Sequence, residues 1–347
     1  MTNASPSEPV PPAAEGAPSR RRRTRARRWF AVAGVGVLVL AVLAGATLTY
    51  LANRYDRNVK RIPNVFASIP PTQRPPVVAP KAMNILLVGS DSRAPVQTTG
   101  SAGNSTAVSP IGQRSDTIML LHLAGDRKSA WVVSIPRDSW VPIPGRGDAK
   151  INAAYAYGGP SLLVNTVEQL TGVSIDHYAE IDFAGLQGMT DAVGGVDVSV
   201  GRAFAAGGYN LTAGVNHLDG QQALAFVRQR SNLPNGDFDR ILNQQAYLKA
   251  LMAKATSLGV LSDPLALTRL LDAVTRSISF DSGLSGADLR SLAFGLRGLR
   301  PESVRFLTMP VRGTGWVGDQ SVVFLDPAKD AALTEALRTD RMDQWRP

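Results

Sequence analysis

Three apolar, strand-like runs of this chain begin or end on charge: Asp91 and Arg93 follow NILLVGS, Arg114 and Asp116 precede TIMLLHL, and Arg137 and Asp138 follow AWVVSI. Runs so rich in Val, Ile and Leu belong to central strands covered on both faces. Charges at the rim of such a core are costly to desolvate unless they pair, hold a cation or meet a charged ligand. Carboxylates suit a hard cation and guanidinium forks suit phosphate oxygens, so these residue types point to a magnesium-pyrophosphate site.

Strands and helices interleave along the same stretch. Residues 84–90, 117–124, 130–136, 177–182, 196–200 and 303–309 read as strands, and 161–171, 183–192, 219–228, 237–257, 264–276, 285–299 and 327–338 as helices. This alternation predicts a layered α/β/α domain with a central mixed β-sheet flanked by helices, over residues 83–340. The Gly-, Ser- and Thr-rich connection from Ala94 to Gln113 is long for a compact domain, and reads equally as a mobile flap or as disorder.

The amino-terminal part has a different character. Residues 1–28 hold seven arginines and two glutamates in a Pro- and Ala-rich context and read as a disordered basic cytoplasmic tail. Residues 29–51 follow without a single charge, long enough at about 1.5 Å per residue to cross a hydrocarbon layer of about 30 Å. A transmembrane helix is expected there, with the domain outside the cell membrane and the amino terminus inside. Residues 52–82, with Pro63, Pro70, Pro71, Pro75, Pro76 and Pro80, read as a stiff linker. The formal charge is +9, but the tail accounts for most of it, and the remainder is too mild for a nucleic-acid face. With no cysteine, disulfides, thiolate metal sites and cysteine nucleophiles are excluded.

Further candidates lie downstream. Asp91 with Arg93, and Arg114 with Asp116, stand two apart and share a strand face, though plain ion pairs at the strand ends would explain them too. Arg137 and Asp138 end a strand where open α/β sheets place ligand groups. Lys150 and Asn152 are near enough in sequence to reach the same edge. On one continuous helix Arg228 and Arg230 would point about 200° apart, so they converge only if the helix ends near Arg228. Ser231 to Gly236 supplies that break, Asp237 is expected to cap the next helix, and Arg240 and Gln244 share one face of it. His122, His177 and His217 show no metal-ligand spacing, and His122 reads as a hydrogen-bonded core residue. No GxSxG elbow or P-loop is present.

The segments GSDSR, RSDTIML, SIPRDSW, KINAAYAYGGP, and FVRQR followed by GDFDRILNQQ, in this order, make residues 84–255 resemble the LytR-CpsA-Psr family. The resemblance implies a membrane-anchored phosphotransferase. Such an enzyme moves an anionic glycopolymer from a polyprenyl-pyrophosphate carrier to a peptidoglycan hydroxyl. It also implies that Asp91 and Asp116 hold Mg²⁺ or Mn²⁺, and that Arg114, Arg137, Lys150, Arg228, Arg230, Arg240 and Gln244 serve the pyrophosphate. Arg114, Arg137 and Asp138 would be catalytic, with Asp138 a candidate base and one of the metal-binding carboxylates an equal alternative. The polyprenyl tail needs an apolar groove, expected among the helices at 161–171, 240–257 and 285–299. Asn243 departs from the basic residue often found before the glutamine pair. Arginine- and alanine-rich composition suggests an actinobacterial source, in which arabinogalactan would be a natural donor. A polyprenyl-pyrophosphate hydrolase and a non-catalytic polymer-binding or regulatory module are the competing readings.

Overall fold

The computed structural model describes residues 59–90, 115–230, 233–257, 263–296 and 299–346. The expected tail, the membrane helix at 29–51 and the 94–113 connection lie outside the described residues, as do Asp91, Arg93 and Arg114. Among the described residues, no helix is long and apolar enough to cross a membrane.

In chain order the elements begin with β1 (Lys60–Ile62), β2 (Met83–Ser90), β3 (Ser115–Leu123), β4 (Ala130–Ser134) and the hairpin β5 (Trp140–Ile143) with β6 (Gly147–Lys150). Next come α1 (Ile151–Thr171), β7 (His177–Ile181), α2 (Phe183–Ala192), β8 (Val196–Val200), β9 (Phe204–Ala206), β10 (Tyr209–Leu211) and β11 (Gly214–Leu218). The remainder is α3 (Gly220–Arg228), α4 (Asp237–Ala255), α5 (Pro264–Ser277), β12 (Ile278–Asp281), α6 (Gly286–Gly295), β13 (Val304–Thr308), β14 (Val311–Val317), β15 (Gln320–Leu325) and α7 (Pro327–Arg338).

Seven strands make the central sheet in the order β1-β12-β7-β2-β3-β4-β13. It is mixed: β2 runs parallel to β7 and antiparallel to β3, and β4 runs antiparallel to β3 and parallel to β13. Cross-strand register separates its faces, because directly opposed residues point the same way. Tyr178, Leu86, Leu120 and Val133 stand in one row and join the main core with Leu163, Val164 and Val167 of α1 and Leu333 and Leu337 of α7. Ala179, Leu87 and Met119 stand in the opposite row. On that second face Ile85, Leu123 and Ala130 pack with Leu292 of α6 and with Leu296 just past its end. Each fully buried Leu or Val side chain contributes about 1.5–3 kcal/mol by leaving water, so burial on both faces holds the layers together. A third cluster, built on Val198, Phe226, Tyr247 and Leu270, joins β8 to α3, α4 and α5.

Two expectations need correction. The segment taken as linker through residue 82 is, over 59–82, part of the domain: Val65 and Ile69 are buried and β1 pairs with β12. Arg74 donates from Nη2 to Glu168 Oε1 at 2.7 Å, its guanidinium 4.8 Å from the Phe66 ring centroid. Proline richness suggested a spacer, but the apolar minority between the prolines is what packs. The helix expected at 161–171 begins at Ile151 and breaks at Gly158 and Gly159. Gly159, at φ +62 and ψ −156, occupies a region essentially closed to other residues, which lets the chain turn before Pro160.

Candidate functional site

β2, β4, β7 and β13 all finish at the same end of the sheet, where antiparallel β3 starts. At this end Ser90, the last residue of β2, donates from its hydroxyl to Glu180 Oε1 at 2.8 Å. Glu180 is buried and also accepts from the Tyr155 and Tyr178 hydroxyls, each at 2.9 Å. Burial beside this carboxylate pushes the Tyr178 hydroxyl well above its ordinary range. The strand end before Asp91 is thus fixed by a saturated set of hydrogen bonds.

Asp116 stands at the start of β3 and accepts a short hydrogen bond from Arg137 Nη1. Arg137 lies three residues past the end of β4, in a turn. Its Nε lies 3.5 Å from Asp237 Oδ1 and 3.7 Å from Asp138 Oδ2. Lys150, the N-cap of α1, brings Nζ to 3.3 Å from Asp138 Oδ1. From the far side of the sequence, Arg240 brings Nη2 to 2.7 Å from Asp237 Oδ1 and donates to the Asp116 carbonyl at 3.4 Å. Four separate stretches of chain therefore meet here.

The reason lies partly in how α3 and α4 are joined. Asp219 caps α3, accepting from Gln222 N at 2.8 Å while the Gln222 side chain accepts from Asp219 N. The helix stops at Arg228 and Gln229 turns extended, as the Arg228 and Arg230 spacing requires. The cap of α4 is Gly236, at φ +53, and not Asp237 as expected. Asn235 is held by Asp239, so Asp237 becomes the first helical residue, three before Arg240, with its carboxylate turned to the arginines. Sequence reasoning saw a capping residue and missed a site carboxylate; the Asp-x-x-Arg spacing was the available signal.

The electrostatics follow from burial. Asp237 is pushed above the ordinary carboxylate range by desolvation, opposed by Arg240 and Arg137. Arg240 is pushed down by desolvation, opposed chiefly by Asp237. Arg230 is close enough to act on both. Arg137 Nε, Arg240 Nε and both Asp237 carboxylate oxygens are buried yet make no hydrogen bond of good geometry. Such atoms are uncommon in a settled core and mark strain or function.

Other expected residues sit nearby in different roles. Arg228 stacks its guanidinium 4.3 Å from the ring centroid of Phe183, the first residue of α2. Gln244 donates to the Val227 carbonyl at 3.4 Å and Asn243 to the Phe226 carbonyl at 3.3 Å, so both tie α4 to the end of α3. Gln245 donates to Ser134 Oγ and the Leu307 carbonyl, each at 2.9 Å, tying α4 to the sheet. His122 is a core residue, between Asn84 Oδ1 at 2.7 Å and Asp340 Oδ1 at 3.0 Å. The three helices expected to share a groove do not: 161–171 lies against the first face of the sheet, whereas α6 lies against the second and α4 is tied to that second face through Ser134.

The LytR_cpsA_psr family pattern matches residues 52–339. The chain belongs to the LytR-CpsA-Psr family. It is 38% identical over 279 residues to the cell wall biosynthesis protein LcpA of Corynebacterium glutamicum, covering 71% of this chain and 53% of that protein. It thus spans about half the length of that relative. It is 33% identical to the polyisoprenyl-teichoic acid–peptidoglycan teichoic acid transferase TagU of Oceanobacillus iheyensis, over 85% of this chain and 89% of that protein. Among solved structures, TagT bound to LI-WTA matches with a TM-score of 0.58 at 26% identity, over 75% of this chain and 90% of that one. Bacillus subtilis TagV matches in fold with a TM-score of 0.60 at 24% identity, over 77% and 98% of the two chains. The LytR-CpsA-Psr fold is therefore the one adopted here, with the Arg137 cluster at its strand ends.

Proposed function

We propose that this chain is a membrane-anchored phosphotransferase that moves an anionic, teichoic-acid-like glycopolymer from a polyprenyl-pyrophosphate carrier to a peptidoglycan hydroxyl. The observation that carries this reading is the meeting of Arg137, Lys150, Arg240 and Arg230 with Asp116, Asp138 and Asp237 at one sheet end, with several buried polar atoms lacking good hydrogen bonds. Pyrophosphate oxygens supply the acceptors that Arg137 Nε and Arg240 Nε lack. The relatives named for teichoic acid transfer support the same substrate class.

The chain's own residues divide the work. Arg137 and Arg240, fixed by packing, meet charge that grows on the leaving lipid phosphate, and preorganised donors of this kind usually supply the largest part of catalysis. Asp138, 3.3 Å from Lys150 Nζ, is the base to which this reading gives the acceptor's hydroxyl proton. Asp116 is half-buried with a carboxylate at the strand end, and Asp91 stands one residue past the end of β2. Asp116 is a donor of the kind Mg²⁺ takes, since that ion commonly uses one or two carboxylates and completes its shell with phosphate oxygens and water. When bound, the ion would neutralise charge on the pyrophosphate. The polyprenyl chain is assigned to the second face of the sheet, where Leu87, Leu121 and Phe280 are only partly buried although they lie on interior strands, beneath α4 and α6.

The test is transfer by the full-length protein in detergent, with a lipid-pyrophosphate glycan and peptidoglycan fragments, products being identified by mass. Glycan-phosphate-peptidoglycan is the expected product, abolished by EDTA and restored by Mg²⁺. Release of free glycan phosphate alone would make the protein a hydrolase, and absence of any turnover would leave the binding-module reading.

A further inference from the structure

A hollow of about 470 Å³ lies between β5, β14, β15, α1 and α7, the two helices being those that pack on the first sheet face. Its lining includes the aromatic Trp140 and Phe324, the apolar Leu170, and the polar Arg312, Asp330 and Thr334. Arg312 is exposed, with its guanidinium 5.8 Å from the Phe324 ring centroid. Asp330 is 9% exposed, and its Oδ1 is buried with no hydrogen-bond partner. Burial and the neighbouring Asp326 push its carboxyl up to about 6, consistent with a group that has no cation of its own.

The hollow joins the site through the backbone. Trp140 is two residues beyond Asp138, roughly 7 Å along an extended chain, and in the β5–β6 register it faces Lys150, which touches Asp138. Val323 N, next to Phe324, donates to the Asp138 carbonyl at 2.9 Å.

We propose that this hollow is the acceptor subsite, taking a peptidoglycan saccharide with its appended peptide. The inference rests on the phosphotransferase reading above. In phosphoryl transfer the attacking and leaving oxygens are roughly in line across phosphorus. With the lipid phosphate leaving toward the second face, the nucleophile enters from the first, where α1 and α7 pack. The acceptor hydroxyl oxygen bonds to the phosphorus that carries the glycan. The bridging bond to the lipid phosphate breaks, the proton passes to Asp138, and the carrier departs as its monophosphate. The lining matches the ligand. Aromatic side chains suit the apolar faces of a sugar ring, a carboxylate accepts from hydroxyl or amide groups, and an arginine meets a carboxylate or carbonyl. The volume lies in the range of small-ligand pockets.

The test compares the full-length enzyme with Asp330→Asn and Arg312→Ala, measuring KM separately for the lipid-linked donor and for the N-acetylglucosaminyl-N-acetylmuramyl peptide. Acceptor KM should rise roughly tenfold in each, while donor KM does not move; removal of ground-state contacts gives this pattern. An unchanged acceptor KM, or a rise in donor KM instead, overturns the assignment, the latter marking a donor-glycan subsite. Melting curves of both variants separate lost folding from lost binding. If the wild-type protein shows no transfer, the phosphotransferase reading fails by itself. Calorimetry of the same disaccharide peptide against Asp116→Ala then decides the hollow: binding lost in Asp330→Asn/Arg312→Ala supports it, and no binding sinks it.

Discussion

Two guanidinium-carboxylate groups in this molecule differ in how completely they are satisfied. Glu168, fully buried, accepts from Arg74 Nε and Nη2 and from Ile175 N, and Arg74 gives its remaining reach to the Ile175 carbonyl at 2.6 Å. Asp237, at the sheet end, lies among Arg137 and Arg240 with neither oxygen in a well-formed hydrogen bond. The hydrogen bonds to Glu168 raise the Arg74 guanidinium above its usual range, whereas burial pushes Arg240 below its own. Saturation marks a joint, and incomplete satisfaction marks a place kept for something else.

The largest expected effect comes from breaking the joint. Glu168→Ala leaves Arg74 without its carboxylate and should cost about 3–5 kcal/mol, read as a lowered denaturant midpoint with unchanged turnover per folded molecule. A loss of turnover with intact stability would show that the contrast is drawn in the wrong place. Arg137→Ala should do the reverse: transfer falls about 10²–10³-fold, roughly 3–4 kcal/mol, with little change in melting. Inorganic pyrophosphate should raise the melting temperature of the wild-type protein by mass action and fail to do so in this variant. The smallest effect tests a third carboxylate that lacks a cation. Asp330 titrates at about 6 in the fold, above the value of about 3.9 for an unfolded Asp. A carboxyl whose folded pKa is raised contributes its stability below about pH 4 and loses it as pH rises through about 6. Asp330→Asn should therefore melt about 2–3 °C higher than wild type at pH 7.5, with the gain gone at pH 4.

The two groups were also unequally legible in the sequence. The helix at Phe183–Ala192 and the strand at Val196–Val200 match their expected bounds, because a capping Asp182 and the alternation of VDVSV are local signals. Arg137 was visible because a charge after an apolar strand is anomalous on its face. Arg74–Glu168 was not, since its partners lie 94 residues apart and one sits among prolines. β12 was missed because Ile278–Asp281 continues directly from α5 without a breaker. Of the hairpins that build the hollow, β5–β6 has strands of only four residues, and β14–β15 lacks an apolar alternation because Gly313 and Gly315 interrupt β14. Asp237 illustrates a third kind of failure: its role turns on whether Gly236 or Asp237 takes the cap, and that is decided by a backbone angle.

Gln244 and Gln245 hold α4 by neutral amide bonds, one to the end of α3 and the other to β4 and β13. Scaffold and attraction are consequently separable quantities. Added electrolyte weakens the pull of exposed cations such as Arg230 on an incoming anion while leaving uncharged carboxamide clasps almost untouched. Such a domain can tolerate swings in external salinity by binding its substrate less eagerly, without first coming apart.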